Sequence, residues 1–173
     1  MSNVYFTNID TAIGPLYVAS SKKGVCRIGL SESYEVFTSW LFKYFENIEE
    51  NHKKNSTVVE QLFTYFDGSL KNFSVDLDLR GTPFQVKVWT ALSKIRYGDV
   101  CSYKELAILA GSPKGFRAVG MANNKNPIPV VIPCHRVIGS DHGLVGFGGG
   151  LDMKKYLLEL EGRSICDGKV VMK

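Results

Sequence analysis

The chain has 173 residues, 45% hydrophobic and 22% charged, with a net charge of +4, which allows one domain or two small ones of ordinary globular composition and makes any nucleic-acid contact depend on where the cations fall. No apolar stretch approaches the ~18 residues that span a bilayer, and the start, Met-Ser-Asn-Val-Tyr-Phe-Thr, joins no basic segment to an apolar run, so no membrane association and a cytoplasmic location (nuclear in a eukaryote) are expected. Cys26, Cys101, Cys134 and Cys166 are widely spaced with no C-x-x-C, and His52 and His142 complete no Cys/His cluster; this argues against a disulfide scaffold, and neither a metal nor a cofactor is expected.

Residues 4–7, 16–19 and 25–30, separated by Ile13-Gly14 and Ser-Ser-Lys-Lys-Gly turns, predict an antiparallel meander. Phe37, Leu41 and Phe45 recur at i, i+4 and i+8, so a helix over 34–45 should cover that sheet, and Val59, Leu62 and Phe63 predict a second over 58–65. The polar stretch 47–56 reads as a linker. Phe73, Val75, Leu77 and Leu79 alternate in an extended run out of this part of the chain. Nothing in residues 1–80 carries chemistry; they read as a small α/β domain supporting a second, 81–173.

The character changes at Gly81. Thr82-Pro83-Phe84-Gln85 places a Thr N-cap, a Pro at the first helical position and a Gln three residues after the cap, with Phe84, Val88, Ala91 and Ile95 as the apolar face that follows. Ser102-Tyr103-Lys104-Glu105 is a second capping box, opening a helix through Leu106, Ala107 and Leu109 that stops at Gly111. Ser112-Pro113 should open a third, to about Asn124. Two short helices around a turn are what a helix-turn-helix requires. In the second of them Ala118, Gly120 and Ala122 offer a small face for close approach, while Lys114, Arg117 and Lys125 supply cations for phosphates. Tight packing within the protein would explain the small residues equally well, but a mid-helix glycine costs ~1 kcal/mol against alanine, which points to some packing or binding demand.

Asn126 precedes Pro127, which drives it out of the helical region and suits it to a hinge. Val130, Val131 and Ile132 then predict a buried strand delivering Cys134, with His135 and Arg136 directly after it. Cysteine is a strong nucleophile once its thiolate forms. Residues 143–150 (Gly-Leu-Val-Gly-Phe-Gly-Gly-Gly) lack the Gly-Lys-Ser/Thr of a phosphate loop and read as a mobile pocket wall. Met153, Leu157 and Leu160 define a last helix ending at Glu161-Gly162, and 163–173 read as a loosely held tail.

Arg-Ala-Val-Gly at 117–120, Asn-Pro at 126–127, Ile-Pro-Cys-His-Arg-Val at 132–137, Gly-Phe-Gly-Gly-Gly-Leu at 146–151 and Leu-Glu-Gly at 160–162 resemble, in order and spacing, the O6-alkylguanine-DNA alkyltransferases. The resemblance implies an α+β chain: a small RNase H-like N-terminal domain, then a mostly helical C-terminal domain containing the helix-turn-helix. It also implies a monomer that binds double-stranded DNA through the minor groove and moves the alkyl group of O6-alkylguanine, with O4-alkylthymine as a further candidate, onto its own cysteine in one irreversible turnover. By that pattern Cys134 accepts the alkyl group, His135 takes its proton through a water, Glu161 holds the imidazole, Asn126 buttresses the turn and Tyr103 assists the leaving guanine. Val137, Val145, Gly146, Phe147 and Gly148 line the base pocket. Arg117 enters the stack in place of the extruded base, or else contacts a phosphate; Ala118, Gly120, Ala122, Lys114 and Arg136 complete the DNA contacts. Two departures stand out: partners for a zinc site beside Cys26 and His52 are missing, and Gly148 stands where some relatives carry a hydroxyl, which suggests a wider pocket. Three other readings compete. They are a lesion-binding module of the same fold, a helix-turn-helix regulator with a sensor cysteine, and a cysteine hydrolase using Cys134, His135 and Glu161. Cys134 speaks against the first, and neither other accounts for Tyr103, Arg117 and Asn126 together.

Overall fold

The early alternation of apolar residues becomes three strands, β1 (Asn3–Thr11), β2 (Gly14–Ser21) and β3 (Gly24–Leu30), paired antiparallel with Phe6 opposite Ala19 and Val18 opposite Ile28. The structure is a computed structural model and describes residues 2–173. Helix α1 (Tyr34–Phe42) is capped by Ser33, whose side chain accepts from the Val36 N–H, and it lays Phe37 and Leu41 on the sheet beside Val4, Phe6, Ala19 and Cys26. It stops short of the expected residue 45, although Phe45 still reaches the same core.

The stretch 47–56 is not a linker. Asn47–Glu50 forms β4, parallel to β1 with Ile48 opposite Val4, and a 3-10 turn at Lys53–Asn55 leads into α2 (Ser56–Phe66). Of β4 only Ile48 packs on the core, and one apolar residue in a polar edge strand leaves no alternation to read. The sheet order is β3-β2-β1-β4. Helix α2 buries Val58, Val59, Leu62, Tyr65 and Phe66, whereas Phe63, placed on this stripe from sequence, is 45% exposed. Residues 72–79 meet β3 at one bridge: the Val25 N–H donates to the Asp76 carbonyl and the Asp78 N–H to the Val25 carbonyl, both at 2.8 Å.

A first compact unit ends at Arg80 and a second comprises Gly81–Lys173. In the second, α3 (Pro83–Leu92) and α4 (Tyr103–Leu109) both begin with complete capping boxes, Thr82 with Gln85 and Ser102 with Glu105. Helix α4 buries Leu106 and Ala107 but leaves Leu109 half exposed. Helix α5 (Phe116–Asn124) starts later than expected, because the Ser112 carbonyl accepts from the Gly115 N–H in a tight turn and Gly115 becomes the N-cap. Trp89 Nε1 donates to the Ala122 carbonyl at 2.9 Å and ties α3 to α5.

Two short strands, β5 (Cys101–Ser102) and β6 (Val137–Ile138), pair in parallel. Helix α6 (Leu151–Leu160) follows, and then a hairpin of β7 (Ile165–Cys166) and β8 (Lys169–Val170) turns at Asp167-Gly168. Both turn residues have positive φ, 50° and 72°, as a two-residue hairpin requires. The tail expected to be loose is therefore docked: Val170 packs with Ile138 and Leu158. Among the described residues no helix is long and apolar enough to cross a membrane.

Candidate active site and nucleic-acid interface

Asn126 organises the approach to Cys134. Its Nδ2 donates to the Ile132 carbonyl at 2.8 Å, its Oδ1 accepts from the Ile128 N–H at 3.0 Å, and the Ile132 N–H donates to the Ile128 carbonyl at 2.9 Å. Residues 126–132 are thereby a closed loop, with Val130 at φ 75°, and not the strand expected over 130–132. The backbone groups that a strand would offer a neighbour are used within the loop. Cys134–Arg136 then form one 3-10 turn leading into β6. Because β6 pairs with β5, and β5 runs straight into Tyr103, the phenol is carried to the cysteine by the sheet register.

Cys134 is 6% exposed and His135 is fully buried. Burial pushes the Cys134 thiol up; a hydrogen bond from Asn126, the Lys154 charge and backbone N–H groups oppose it without cancelling it. The resting cysteine is a thiol and needs a base. His135 Nε2 lies 2.8 Å from Glu161 Oε1, while Nδ1 is buried with no hydrogen-bond partner in the protein. Burial alone would raise the Glu161 carboxyl, but hydrogen bonds from His135 and Arg136 and the Arg136 charge outweigh it and hold the group well below the usual carboxylate range. An ionised carboxylate only accepts, so Nε2 carries the proton and Nδ1 keeps its lone pair. Burial lowers the His135 pKa, so the ring is neutral at rest.

Arg136 is not the exposed cation that the expected DNA contact requires. It is 7% exposed, with Nε and Nη2 each 2.8 Å from Glu161 and Nη1 donating to the Ile95 carbonyl. The sequence showed only a cation after the histidine; Glu161, far along the chain, takes it inward.

Lys154 was not singled out from sequence. It has no exposed surface, and its ammonium donates to the carbonyls of Val137 at 2.5 Å and Val145 at 2.7 Å, joining β6 to the glycine-rich wall. Burial lowers its pKa to about 8, with the Cys134 charge acting in the opposite sense. The available signal was its place one turn before Leu157 and Leu158, on the face of α6 that is buried. The Tyr103 hydroxyl donates to the same Val145 carbonyl at 3.2 Å. Burial and then the Cys134 charge raise the phenol's pKa, so it stays a donor. Of the wall residues, Val145 and Gly148 are exposed, Phe147 is half-buried, and Val137 is buried in β6. Gly146 has φ 54°, and a Cβ there would lie 3.2 Å from both the Tyr103 hydroxyl and Asn124 Oδ1.

Beside Tyr103, α5 lines a cleft of about 430 Å³ with Arg117, Gly120, Met121 and Asn124; Phe116, Lys104 and Ser140 complete it. Arg117 and Met121 are exposed there, one turn apart. Ala118 is exposed and Lys114 sits exposed in the turn before the helix, off it and not on it as expected. Ala122 corrects the small face: it is 3% exposed and turned to α3, where packing explains it. Gly120 packs on the protein itself as well, since a Cβ there would meet the Tyr103 ring at 3.4 Å. Among the described residues no group of three or more His, Cys, Asp or Glu side chains is placed to hold a metal.

Residues 83–163 match the family model of the 6-O-methylguanine DNA methyltransferase DNA-binding domain, and residues 4–79 match that family's ribonuclease-like domain. The chain belongs to the 6-O-methylguanine DNA methyltransferase family. A methylated-DNA–protein-cysteine methyltransferase of Methanosarcina barkeri is 42% identical over 161 residues, covering 91% of this chain and 97% of the relative. The constitutive enzyme of that name from Bacillus subtilis is also 42% identical, over 91% and 94%. Among solved structures, the Mycobacterium tuberculosis O6-methylguanine methyltransferase is 43% identical with a TM-score of 0.80, covering 95% of this chain and 96% of that one. The M. tuberculosis protein in complex with DNA gives 41% and 0.78, covering 92% of each chain. The mixed α/β architecture, a ribonuclease-like sheet unit followed by a helical DNA-binding domain, is that of the family.

Proposed function

We propose that the protein repairs DNA directly, moving the alkyl group of O6-alkylguanine onto Cys134 in a single irreversible turnover. The observation that carries this reading is the pairing of a buried thiol with a neutral, buried His135 whose Nε2 is committed to Glu161 and whose Nδ1 has no partner. His135 Nδ1 takes the Cys134 proton, through a water where the two side chains diverge. The thiolate sulfur attacks the alkyl carbon, the S–C bond forms as the C–O6 bond breaks, and the electron pair leaves on guanine. Tyr103, kept protonated, turns from the Val145 carbonyl to supply a hydrogen bond or a proton to the departing base. The product is a thioether with no easy leaving group, so the site is spent.

The O6 atom lies within the base stack, so the nucleotide must be extruded, at a cost of a few kcal/mol. The cleft along α5 fits this: Arg117 projects from it as the residue to enter the stack, Gly120 lets the helix approach a narrow groove, and Tyr103 links the cleft to Cys134. Asn126 holds the cysteine turn, Lys154 fixes the pocket wall, and Val145 to Gly148 border the base. On this reading DNA is bound through the minor groove by a monomer in the cytoplasm, with little dependence on sequence. Titrating a duplex carrying one O6-methylguanine against the protein tests it: lesion loss should stop at one equivalent. Continued loss with time would mean turnover, and no loss would remove the transfer reading.

A further inference from the structure

Every contact of Arg136 points inward. Nε and Nη2 grip the two oxygens of Glu161 at 2.8 Å, Nη1 donates to the Ile95 carbonyl, and the guanidinium lies 5.8 Å from the centroid of the Tyr97 ring, whose hydroxyl donates to the Leu160 carbonyl. His135 shares Glu161 Oε1 with Arg136 Nη2. A buried carboxylate facing an imidazole alone draws a second proton onto the ring. A ring with two protons has no lone pair to offer Cys134.

We propose that Arg136 is a positioning residue of the transfer site, neutralising Glu161 so that the carboxylate orients His135 without holding it doubly protonated. The proposal rests on the alkyl-transfer reading above. The ionisable groups facing His135 are Glu161 just after α6, Lys154 within α6, and Cys134 and Arg136 on its own turn. Burial, first, and then the charges of Arg136 and Lys154 favour the neutral ring, while Glu161 works the other way. Removing the Arg136 charge leaves one cation where there were two, and the balance moves towards imidazolium.

The test is the single-turnover transfer rate of full-length Arg136→Gln and Arg136→Lys on an O6-methylguanine duplex, followed from acid to mildly alkaline pH. In Arg136→Gln the acid limb of the rate should move up by about one pH unit, and in Arg136→Lys, which keeps the charge, it should stay near the wild-type position. A merely structural role lowers the competent fraction and leaves the limb in place, so a folded Arg136→Gln with an unmoved limb overturns the proposal. Wild-type protein supplies an independent readout should that variant not fold. In isotope-edited NMR at neutral pH, His135 should carry one proton, on Nε2; a doubly protonated ring, or one protonated on Nδ1 alone, overturns the proposal. The NMR readout needs no DNA, so failure of the Arg136 role is distinct from failure of alkyl transfer, which would appear as no transfer by the wild type.

Discussion

Lys154, with no exposed surface, donates to the carbonyl of Val145 at 2.7 Å. The bond ties α6 to the glycine-rich loop, and the same ammonium reaches Val137, three residues after the cysteine. Methionine at this position keeps the length and loses both donors. Tyr103 still donates to the exposed Val145, so the Val137 carbonyl is the acceptor left buried and unpaired; at about 1–3 kcal/mol for such a group, Lys154→Met should lower unfolding stability by that amount in a urea titration. Transfer should slow by at least about tenfold, the factor that ~1.4 kcal/mol in the barrier represents. A variant as stable and as fast as the wild type would remove Lys154 from the account.

Gly120 separates the demands of folding from those of binding. A Cβ there meets only the Tyr103 ring, at ordinary contact distances of 3.4 and 3.6 Å. Alanine in a helix interior gains up to ~1 kcal/mol over glycine, so Gly120→Ala should melt at or above the wild-type temperature. If α5 lies in the groove, the added methyl should weaken lesion-duplex affinity in a fluorescence-anisotropy titration. Unchanged affinity would mean that the glycine serves only the Tyr103 contact.

Gly148 has open space where a side chain would stand, and its backbone is not in the left-handed region. Serine there should fold without strain. Gly148→Ser adds a hydroxyl at the pocket edge and should speed transfer from O6-methylguanine relative to a bulkier O6-alkylguanine, measured as competing single-turnover rates. An unaltered ratio would show that this position does not set lesion size.

Glu161 makes acid stability a property of the site. Its folded pKa lies far below the ordinary 4.5. Between those two values the unfolded chain holds the extra proton, so stability rises with pH across that window. The contribution is complete above about 4.5 and is lost as pH falls towards the folded value. Glu161→Gln cannot titrate, so its melting temperature should fall less steeply with acid than that of the wild type. Parallel slopes would assign the acid sensitivity elsewhere.

What the sequence made legible follows from how local each signal was. Capping boxes at Thr82 and Ser102 are written within four residues, and both formed. The hinge at Asn126 was legible for the same reason, since a proline follows it and its hydrogen bonds close within six residues. Ile48 alone could not announce β4, because an edge strand that packs one side chain shows no period. The Asp167-Gly168 hairpin had one local signal, its turn dipeptide, but the strands on either side, Ile165-Cys166 and Lys169-Val170, are too short to show a period, and the segment reads as tail. Arg136 and Lys154 were illegible for a different reason. A cation reads as surface until its buried acceptors are known, and those acceptors, Glu161 for one and the carbonyls of Val137 and Val145 for the other, lie elsewhere in the sequence.

Transfer of the alkyl group to Cys134 is the claim on which the rest depends, and the intact mass of the protein tests it most directly. After incubation with a short duplex carrying one O6-methylguanine, the wild type should gain the mass of one methyl group in stoichiometric yield, and Cys134→Ala should gain none. No gain in the wild type, or the same gain in Cys134→Ala, would contradict the account.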